Sequence, residues 1–484
     1  MSISGALSNA LSGLTASSRN AQVISTNLAN ALTPGYATRT LELVPRAEGR
    51  VGGVFVQGVT RHVDAGLLAD RRMADSSLAN AGAKAGFLTE MERLIGTPDL
   101  SSSLSGRFSA FEASLVTAAA KPEEESRLLA VTLRAGELVT ALNDVSRGIQ
   151  QARTEAESQI TQAVGEANTY LGQLQSLNAQ IVDATNAGHS TASFEDQRRI
   201  VIDRLAELVP VRLAQRDNGA VAIYTPGGAT LLDGKPAVLE FTASNLVQPH
   251  MTLENGLLDG LTINGNPVPP SGDRSPIAGG RIAGLFEQRD SLAPDAQTQI
   301  DALARDLISR FQDPALDGTR GPGDAGLFTD EGVAFAAADE TGISARISFN
   351  ALADPDQGGA LWRLRDGLGA AAPGDAGDAS LLQAMTAALT RPAALASGDL
   401  GATARAAAEH VSSFVSRIGQ QRLTLDQTVA FASAHQAGLV EIELGMGVDS
   451  DAEMQKLLLV EQAYSANARM IQTVEDMIDA LLRI

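Results

Sequence analysis

Residues 3–31, ISGALSNALSGLTASSRNAQVISTNLANA, form a pattern typical of an amphipathic helix near the start of the chain. Apolar and small side chains recur at alternating spacings of three and four, which aligns them along one side of a helix. The other faces carry Ser, Asn, Thr and Arg19, so this helix is expected to need a partner. We call the aligned side chains the N-terminal seam: Ile3, Leu7, Ala10, Leu14, Ser17, Ala21, Ile24, Leu28 and Ala31.

A predicted turn ends this first helix. Thr33-Pro34-Gly35 follows the seam; proline disfavours helix at the residue before it, and glycine permits a tight turn. Residues 40–63 then show partly alternating apolar side chains and a glycine pair. This pattern predicts a short β-hairpin or an extended arm.

The last segment of the chain mirrors the first. Ser450-x-x-Glu453 predicts a capping box at a helix start. Because two unpaired seams at opposite chain ends most simply pack on each other, the two ends are expected to form an α-helical coiled coil. The C-terminal seam consists of Leu457, Val460, Tyr464, Asn467, Ile471, Val474, Ile478 and Leu481.

The middle of the chain reads as long helices with one β region. Glu123, Glu124 and Glu125 follow Pro122, a combination that favours a helix start. The helix predicted over 123–187 is about 95 Å long at about 1.5 Å per residue. Turn residues between short apolar runs predict strands at 206–275. Further helices are predicted at 65–95, 102–120, 279–312 and 400–438.

The predicted fold class is mainly α with an inserted β domain, elongated and multi-domain. Three domains are predicted. Residues 1–60 with 440–484 form the terminal coiled coil, and residues 61–205 with 276–439 form a stalk bundle of long helices. Residues 206–275 form a small all-β outer domain.

Composition limits the classes of function. The 484 residues carry 57 Asp and Glu against 37 Lys and Arg, a formal net charge of −20. Such a polyanion does not seek nucleic acid or an anionic membrane surface, so neither is expected as a partner. The absence of cysteine excludes disulfides and thiolate metal sites. No secretory leader and no run of about 18 apolar residues is recognisable.

Motifs for catalysis or cofactor binding are weak. The five histidines show no HxxxH or HExxH spacing, which argues against a helical metal site. A GxGxxG match at residues 321–326 follows a predicted helix and loop instead of a strand, which argues against dinucleotide binding. Asp449, Asp451 and Glu453 lack the other ligands of an EF-hand loop. No enzymatic activity, cofactor or metal is therefore predicted.

Both ends carry signatures beyond their periodicity. Residues 25–36, STNLANALTPGY, resemble the ANxxTPGY signature of the bacterial flagellar rod, hook and hook-associated proteins. Residues 461–468, EQAYSANA, and 471–473, IQT, resemble the matching C-terminal signature of that family. Because one signature lies at each end, the chain is identified as resembling the flagellar axial proteins.

Within this family, the chain is similar to the member that joins hook to filament. Its ending, EDMIDALL at residues 475–482, resembles that member's ending, and its long helices fit a helical stalk. Residues 279–290, GGRIAGLFEQRD, resemble that member's return into the stalk. The chain departs from the family pattern at Ala37, Glu461 and Ser465. The family's specific hydrogen bonds between subunits are therefore not carried over to these three positions.

The resemblance implies a structural subunit that is exported unfolded through the flagellar type III apparatus, with its N-terminal segment as the uncleaved signal. The implied site of assembly is the extracellular hook–filament junction. There, copies form a ring and their terminal helices pair to line the central channel. The implied partners are the hook protein, hook-associated protein 3, copies of the chain itself and a cytoplasmic export chaperone at the C-terminal helix.

The residues that this resemblance implies in assembly belong to the two seams and to the turn after the first helix. They are Ile3, Leu7, Leu14, Ile24, Asn27, Leu28, Asn30, Thr33, Pro34, Gly35, Tyr36, Leu457, Val460, Gln462, Tyr464, Asn467, Ile471, Val474, Ile478 and Leu481. Two alternatives stay open. One is another axial protein, of the hook or distal rod; the other is a secreted hydrolase on a helical stalk, with its site in 206–275 or the Asp-rich loops.

Overall fold

Helices make up most of the computed structural model, which describes residues 3–46, 52–272 and 274–482. The predicted fold class, mainly α and elongated with small β portions, is confirmed. The helices are α1 (Ile3–Ala29), α2 (Ala65–Ile95), α3 (Leu104–Ala120), α4 (Glu125–Asn186), α5 (Ala192–Leu208), α6 (Gly280–Glu287), α7 (Ala293–Gln312), α8 (Ile343–Arg346), α9 (Arg363–Asp366), α10 (Ser380–Thr390), α11 (Ala407–Gly445) and α12 (Ser450–Leu482).

Short strands form small antiparallel sheets. β1 pairs with β2, which confirms the hairpin predicted at 40–63, although residues 47–51 of that prediction lie outside the described residues. Two further sheets have the orders β3-β4-β5-β6 and β7-β8-β9, and β10 pairs with β11. The strands are β1 (Arg39–Pro45), β2 (Val54–Arg61), β3 (Arg212–Gln215), β4 (Val221–Tyr224), β5 (Thr230–Asp233), β6 (Lys235–Pro236), β7 (Leu239–Glu240), β8 (Leu261–Ile263), β9 (Asn266–Val268), β10 (Phe328–Asp330) and β11 (Ile347–Phe349).

The long helix α4 organises the fold. Glu124 precedes it and accepts hydrogen bonds from Lys121 Nζ at 2.8 Å and Arg127 Nε at 2.6 Å. A carboxylate at this end of a helix is favoured by the helix dipole. The 62 residues of α4 give a length of about 93 Å at about 1.5 Å per residue. One helix therefore runs through both of the hydrophobic cores described next.

The first core surrounds the N-terminal half of α4, from Leu128 to Ile149. It contains side chains from α2, α3, α7, α10 and α11. Phe111, Phe311 and Phe328 meet at its centre, with ring centroids 5.2 to 6.0 Å apart and tilted or edge-to-face geometry. Such contacts stabilise more than their buried area alone.

The second core surrounds the C-terminal half of α4. Ile160 and Leu171 of α4 cluster there with buried side chains of α5, α6 and the strands, including Leu205, Ile223 and Phe286. The strands of the predicted β insertion thus share a core with three helices. The three domain boundaries stay predictions.

A buried charged layer lies between the two cores. Arg289 Nη1 donates to Glu157 Oε1 at 2.6 Å, and both side chains are at most 1% exposed. Arg153 Nη2 donates to the Met251 carbonyl at 2.6 Å, and burial lowers the pKa of Arg153 to about 10. Arg289 belongs to a π-helical segment, Gln288–Leu292, between α6 and α7. The layer therefore connects the loop at Met251 and the π-helical segment to the middle of α4.

Several element boundaries differ from the sequence predictions. The helix predicted at 279–312 is divided by the π-helical segment, where Arg289 turns inward to Glu157. The helix predicted at 400–438 begins only at Ala407, because residues 393 and 405 form a β-bridge before it, and it extends to Gly445. Sequence reasoning missed α5, whose buried face includes the charged residues Asp196 and Arg198, and the short α10.

Candidate assembly site

The terminal helices α1 and α12 pack against each other in antiparallel directions. Asn27 near the end of α1 contacts Glu453 near the start of α12. Nearer the start of α1, Gly13 lies so close to Asn467 that a Cβ on the glycine would meet the Asn467 amide at 2.7 Å. Positions later in α1 therefore lie opposite positions earlier in α12. The pairing predicted for the two chain ends is confirmed.

Asn27 is the centre of this contact and is fully buried. Its Oδ1 accepts from the Tyr36 hydroxyl at 2.7 Å and from the Arg39 backbone N–H at 3.1 Å. Its Nδ2 donates to the Arg39 carbonyl at 2.8 Å and to Glu453 Oε2 at 3.0 Å. All four bonds that a buried amide can make are formed, so Asn27 joins α1, the turn, β1 and α12.

The turn after α1 is fixed by glycine and by local hydrogen bonds. Gly35 has a φ of 78°, in the left-handed region that favours glycine. A Cβ at this position would also meet Ile200 Cγ1 of α5 at 2.6 Å. Asn30 Nδ2 donates to the Thr26 carbonyl at 2.9 Å, and the Thr33 hydroxyl donates to Asn30 Oδ1 at 3.2 Å. This geometry places the turn against α5.

Two arginines of the hairpin bind carboxylates of α5. Arg39 Nη2 lies 2.6 Å from Asp196 Oδ2, and Arg61 Nη2 lies 2.5 Å from Asp196 Oδ1. Arg61 Nη1 also lies 2.7 Å from Glu195 Oε2. Although burial opposes ionisation, hydrogen bonds from Thr191 and Arg61 hold the pKa of Glu195 below its ordinary value. These pairs join the hairpin to the helical body.

Tyr36 links this charged cluster to Asn27. Burial raises the pKa of the Tyr36 hydroxyl, although the Arg39 guanidinium opposes the shift from a position 4.7 Å from the ring centroid. The hydroxyl therefore stays protonated at neutral pH and serves as a donor to Asn27.

A second charged cluster fixes the end of α11, just before α12. Glu443 pairs with Arg71 of α2 at 2.6 Å and also with Arg199 of α5. Gln436 Nε2 donates to Asp75 Oδ1 at 3.1 Å, and Asp75 pairs with Arg71 at 2.9 Å. Burial raises the pKa of Asp75, and the Arg71 charge opposes this. The connection into α12 is thus held by α2 and α5.

The predicted capping box of α12 is wrong. Asp449 Oδ1 accepts from the backbone N–H groups of Asp451 and Ala452, both at 3.0 Å, so Asp449 supplies the cap. Glu453 instead turns toward α1, where it bonds Asn27, and accepts from Lys456 Nζ at 2.7 Å. The sequence spacing fitted a cap, but the buried amide on α1 competes for the same carboxylate.

The structure places the predicted assembly residues, from the two seams and the turn, in three environments. Ile24, Asn27 and Val474 are buried. Half-buried positions are Ile3, Leu7, Leu14, Asn30, Gly35, Tyr36, Leu457, Val460, Asn467 and Ile471. Exposed positions are Leu28, Thr33, Pro34, Gln462, Tyr464, Ile478 and Leu481. The predicted set is therefore divided between the contact of α1 with α12 and open surface.

Sequence reasoning missed the residues that complete the network. Arg39, Arg61 and Asp196 meet across separations of more than a hundred positions, so no local spacing signals them. The sequence spacing predicts a different role for Glu453, in a capping box with Ser450. Within the described ranges, no group of three or more His, Asp or Glu side chains could hold a metal ion. Over those same ranges, no helix is long and apolar enough to cross a membrane.

Comparison with known proteins gives matches to flagellar families. A family model described as the flagellar hook-associated protein FlgK helical domain matches residues 88–328. A second model, described as the flagellar basal body rod FlgEFG protein C-terminal, matches residues 444–484. The first matched segment covers α3 to α7, and the second covers α12.

Curated relatives include flagellar hook-associated protein 1 of Salmonella typhimurium, 27% identical over 286 residues, 54% of this chain and 51% of that protein. The protein of the same name from Bacillus subtilis is 23% identical over 498 residues, 94% of this chain and 93% of that protein. The match thus spans about half the length of the Salmonella relative. A solved structure of the hook junction protein FlgK from Burkholderia pseudomallei aligns with a TM-score of 0.45 and 20% identity, over 54% of this chain and 46% of that one.

Proposed function

Because the chain belongs to the family of flagellar hook-associated proteins, we propose that it is the structural subunit that joins the hook to the filament. Membership of this family supports a structural role in the flagellum. The finer assignment, a junction adaptor that is assembled through its terminal helices, is the proposal.

The single observation that carries this proposal is the pairing of α1 with α12 through Asn27 and Glu453. The two signatures noted in the sequence lie on this pair and on the turn that follows α1, and the buried amide orders the turn between α1 and β1. A helix pair that leaves much of its apolar surface open is incomplete as an isolated unit. Leu28 at 37% exposure and Leu481 at 59% are examples.

The proposed partners are the hook protein on one side, hook-associated protein 3 on the other, and copies of this chain in a ring. Before assembly, a cytoplasmic export chaperone covers the C-terminal helix, since its apolar side chains would otherwise associate unspecifically. Export through the flagellar type III apparatus, with the N-terminal segment as signal, then delivers the chain to the extracellular hook tip. The chain is proposed to act without enzymatic activity.

Electron microscopy of a strain that lacks the gene tests the proposal. A missing junction subunit leaves complete hooks without filaments, and filament protein is released into the medium. A strain without hooks would instead identify the chain as a hook or distal rod protein. Normal filaments would overturn a role in the flagellar axis altogether. Restoration of filaments by a plasmid copy is the control.

A further inference from the structure

The terminal helices and the hairpin form a unit that lies outside both hydrophobic cores. We call α1, β1, β2 and α12 the terminal unit, and the rest of the described chain the body. Ile24 and Val474 are buried within the unit, and α12 packs mainly on α1. Among the described residues, neither core includes a side chain of the terminal unit. The apolar packing that holds the body together therefore does not extend to this unit.

Two short segments connect the terminal unit to the body. Residues 62–64 lead from β2 into α2, and residues 446–449 lead from α11 into α12. Asp64 caps the start of α2, and two arginines of the body hold Glu443 near the end of α11. Both segments therefore begin at fixed points of the body, and we call the two segments the hinge.

Ion pairs attach the hairpin of the terminal unit to the body. Arg39 and Arg61 pair with Asp196 of α5, and Arg61 also pairs with Glu195. We call these four residues the ionic latch; their side chains are 12% to 25% exposed. An ion pair that is still partly exposed regains hydration when it opens, so its net contribution to stability is small. The latch therefore opens more easily than a packed apolar interface does.

Unused hydrogen-bond donors lie in the latch and next to it. The Nε atoms of Arg39 and Arg199 are buried and have no hydrogen-bond partner among the described residues. A guanidinium carries five N–H donors, so it can exchange one carboxylate oxygen for another when the two surfaces shift. The charged contact is thus able to keep hydrogen bonds in more than one position of the terminal unit. Interlocking apolar side chains lack this ability, because their packing depends on one shape.

A cleft of about 490 Å³ lies beside the latch. The turn after α1, the start of α2 and the end of α11 line it, with Tyr36, Leu67 and Met446 among the lining residues. Packed protein interiors contain few voids larger than a water molecule. A space of this size shows that the turn is not packed against the body on this side, so the turn has room to move.

We propose that the terminal unit is a rigid body that pivots on the hinge, and that the ionic latch holds it in the position seen in this structure. Release of Asp196 from the two arginines lets the turn move into the cleft, while the pairing of α1 with α12 and both cores stay intact. The angle between the terminal unit and the body then varies within one fold, as in other hinge motions. The hinge is a property of the single chain and does not depend on the proposed function.

Distances between spin labels on introduced cysteines test the hinge in the purified chain, which contains no cysteine of its own. Ser18→Cys with Thr89→Cys spans the hinge, because these exposed positions lie on α1 and α2. Ser18→Cys with Gln472→Cys lies within the terminal unit, and Thr89→Cys with Thr140→Cys lies within the body. Double electron–electron resonance gives the distribution of distances for each pair.

Asp196→Asn removes the charge that both arginines bind but keeps the shape of the side chain. The distribution across the hinge should broaden roughly twofold or more, and the distributions within the terminal unit and within the body should not change. Arg39→Gln combined with Arg61→Gln opens the latch from the other side and should reproduce this broadening. The matched control is Glu92→Gln, which removes an ion pair between two helices of the body and should leave all three distributions unchanged.

A distribution across the hinge that stays as narrow in both latch variants as in the native chain overturns the inference. A native distribution that is already as broad as that of the variants overturns it too, because the latch then holds nothing in place. Broadening within the terminal unit would show that α1 and α12 separate instead of moving together, which contradicts a rigid unit. Equal broadening in Glu92→Gln would assign the effect to the loss of any ion pair and remove the special role of the latch.

Discussion

The side-chain amide of Asn27 lies 3.0 Å from the Glu453 carboxylate, a hydrogen bond between residues 426 positions apart in the sequence. Both residues are buried, and the same amide also holds Tyr36 and both backbone polar groups of Arg39. The bond thus couples the order of the turn after α1 to the position of α12. Loss of one partner affects both chain ends.

Truncation of the carboxylate weakens this coupling. Glu453→Ala leaves one Asn27 N–H buried without an acceptor, at an expected cost of about 1–3 kcal/mol. The matched control is Glu453→Gln, which keeps an acceptor oxygen and loses less. Hydrogen exchange of the α1 and α12 backbone amides measures the change. Equal exchange in both variants would show that the bond does not hold the helices together.

The turn residue Gly35 is the second sensitive position. Gly35→Ala places a Cβ 2.6 Å from Ile200 Cγ1 and imposes a φ of 78° on an L side chain. The expected destabilisation is about 1–3 kcal/mol, as for other strained non-glycine conformations. Urea unfolding, followed by the fluorescence of the single tryptophan and by circular dichroism, measures it.

The Ile200→Ala background separates the two causes. It removes the contact with Ile200 but not the backbone strain. The loss of stability caused by Gly35→Ala should therefore be smaller in this background than in the native chain, but still measurable. The same cost in both backgrounds would mean that the backbone conformation alone requires the glycine.

Local patterns predicted the elements better than their partners. The seam of α1 and the turn at Thr33-Pro34-Gly35 follow from spacing and from proline and glycine chemistry, and both lie where the sequence placed them. Glu453 shows the limit. Its spacing from Ser450 fits a capping box, but its partner is an amide on another helix that no local pattern reveals.

Burial on α12 could not be predicted from periodicity either. The sequence singled out the line through Leu457 and Ile471, but the line through Leu459 and Met470 repeats with similar spacing. Only the packing of α1 shows which of the two the chain covers itself. Likewise, no local pattern predicts the role of Arg39 and Arg61, because their partner Asp196 lies on α5, far away in the sequence.

Acidic substitutions in the predicted seams should block assembly. Leu14→Asp or Ile471→Asp puts a carboxylate into an apolar contact between helices, so the variant should fail to form filaments in the deletion strain. Immunoblots of isolated flagella and swimming assays measure incorporation. Thr15→Asp and Gln472→Asp are the matched controls, because they are adjacent and exposed. Urea unfolding of the two cores should be unchanged; normal filaments in the seam variants would exclude these positions from assembly.

Stability should depend on pH through Asp301. Burial raises the pKa of this carboxyl above 3.8, although hydrogen bonds from Ser344, Gly342 and Gln297 act in the opposite direction. At pH values above 3.8, the native chain binds more protons at Asp301 than the unfolded chain does. The contribution of Asp301 to stability is therefore full below that value and falls as the pH rises through the raised pKa.

Asp301→Asn removes this titration but keeps the shape of the side chain. The difference in free energy of unfolding between the native chain and Asp301→Asn should shift against the native chain as pH rises from about 3.5 to 7. Urea unfolding at several pH values measures this difference. A difference that is constant over the range would show that the site does not titrate differently in the folded and unfolded chains.

The buried charged layer between the two cores offers the sharpest test of packing. Arg289→Met leaves the Glu157 carboxylate, which is at most 1% exposed, without its cation. This change is expected to lower the free energy of unfolding by about 3–5 kcal/mol. Glu157→Gln in the same chain removes the unpaired charge, so the double variant should recover part of the loss. Denaturant unfolding of both single variants and the double variant gives the coupling energy. Additive losses would show that the two side chains act independently, and the stability of the layer would then come from the bonds of Arg289 to Asp290 and to the Asp259 carbonyl.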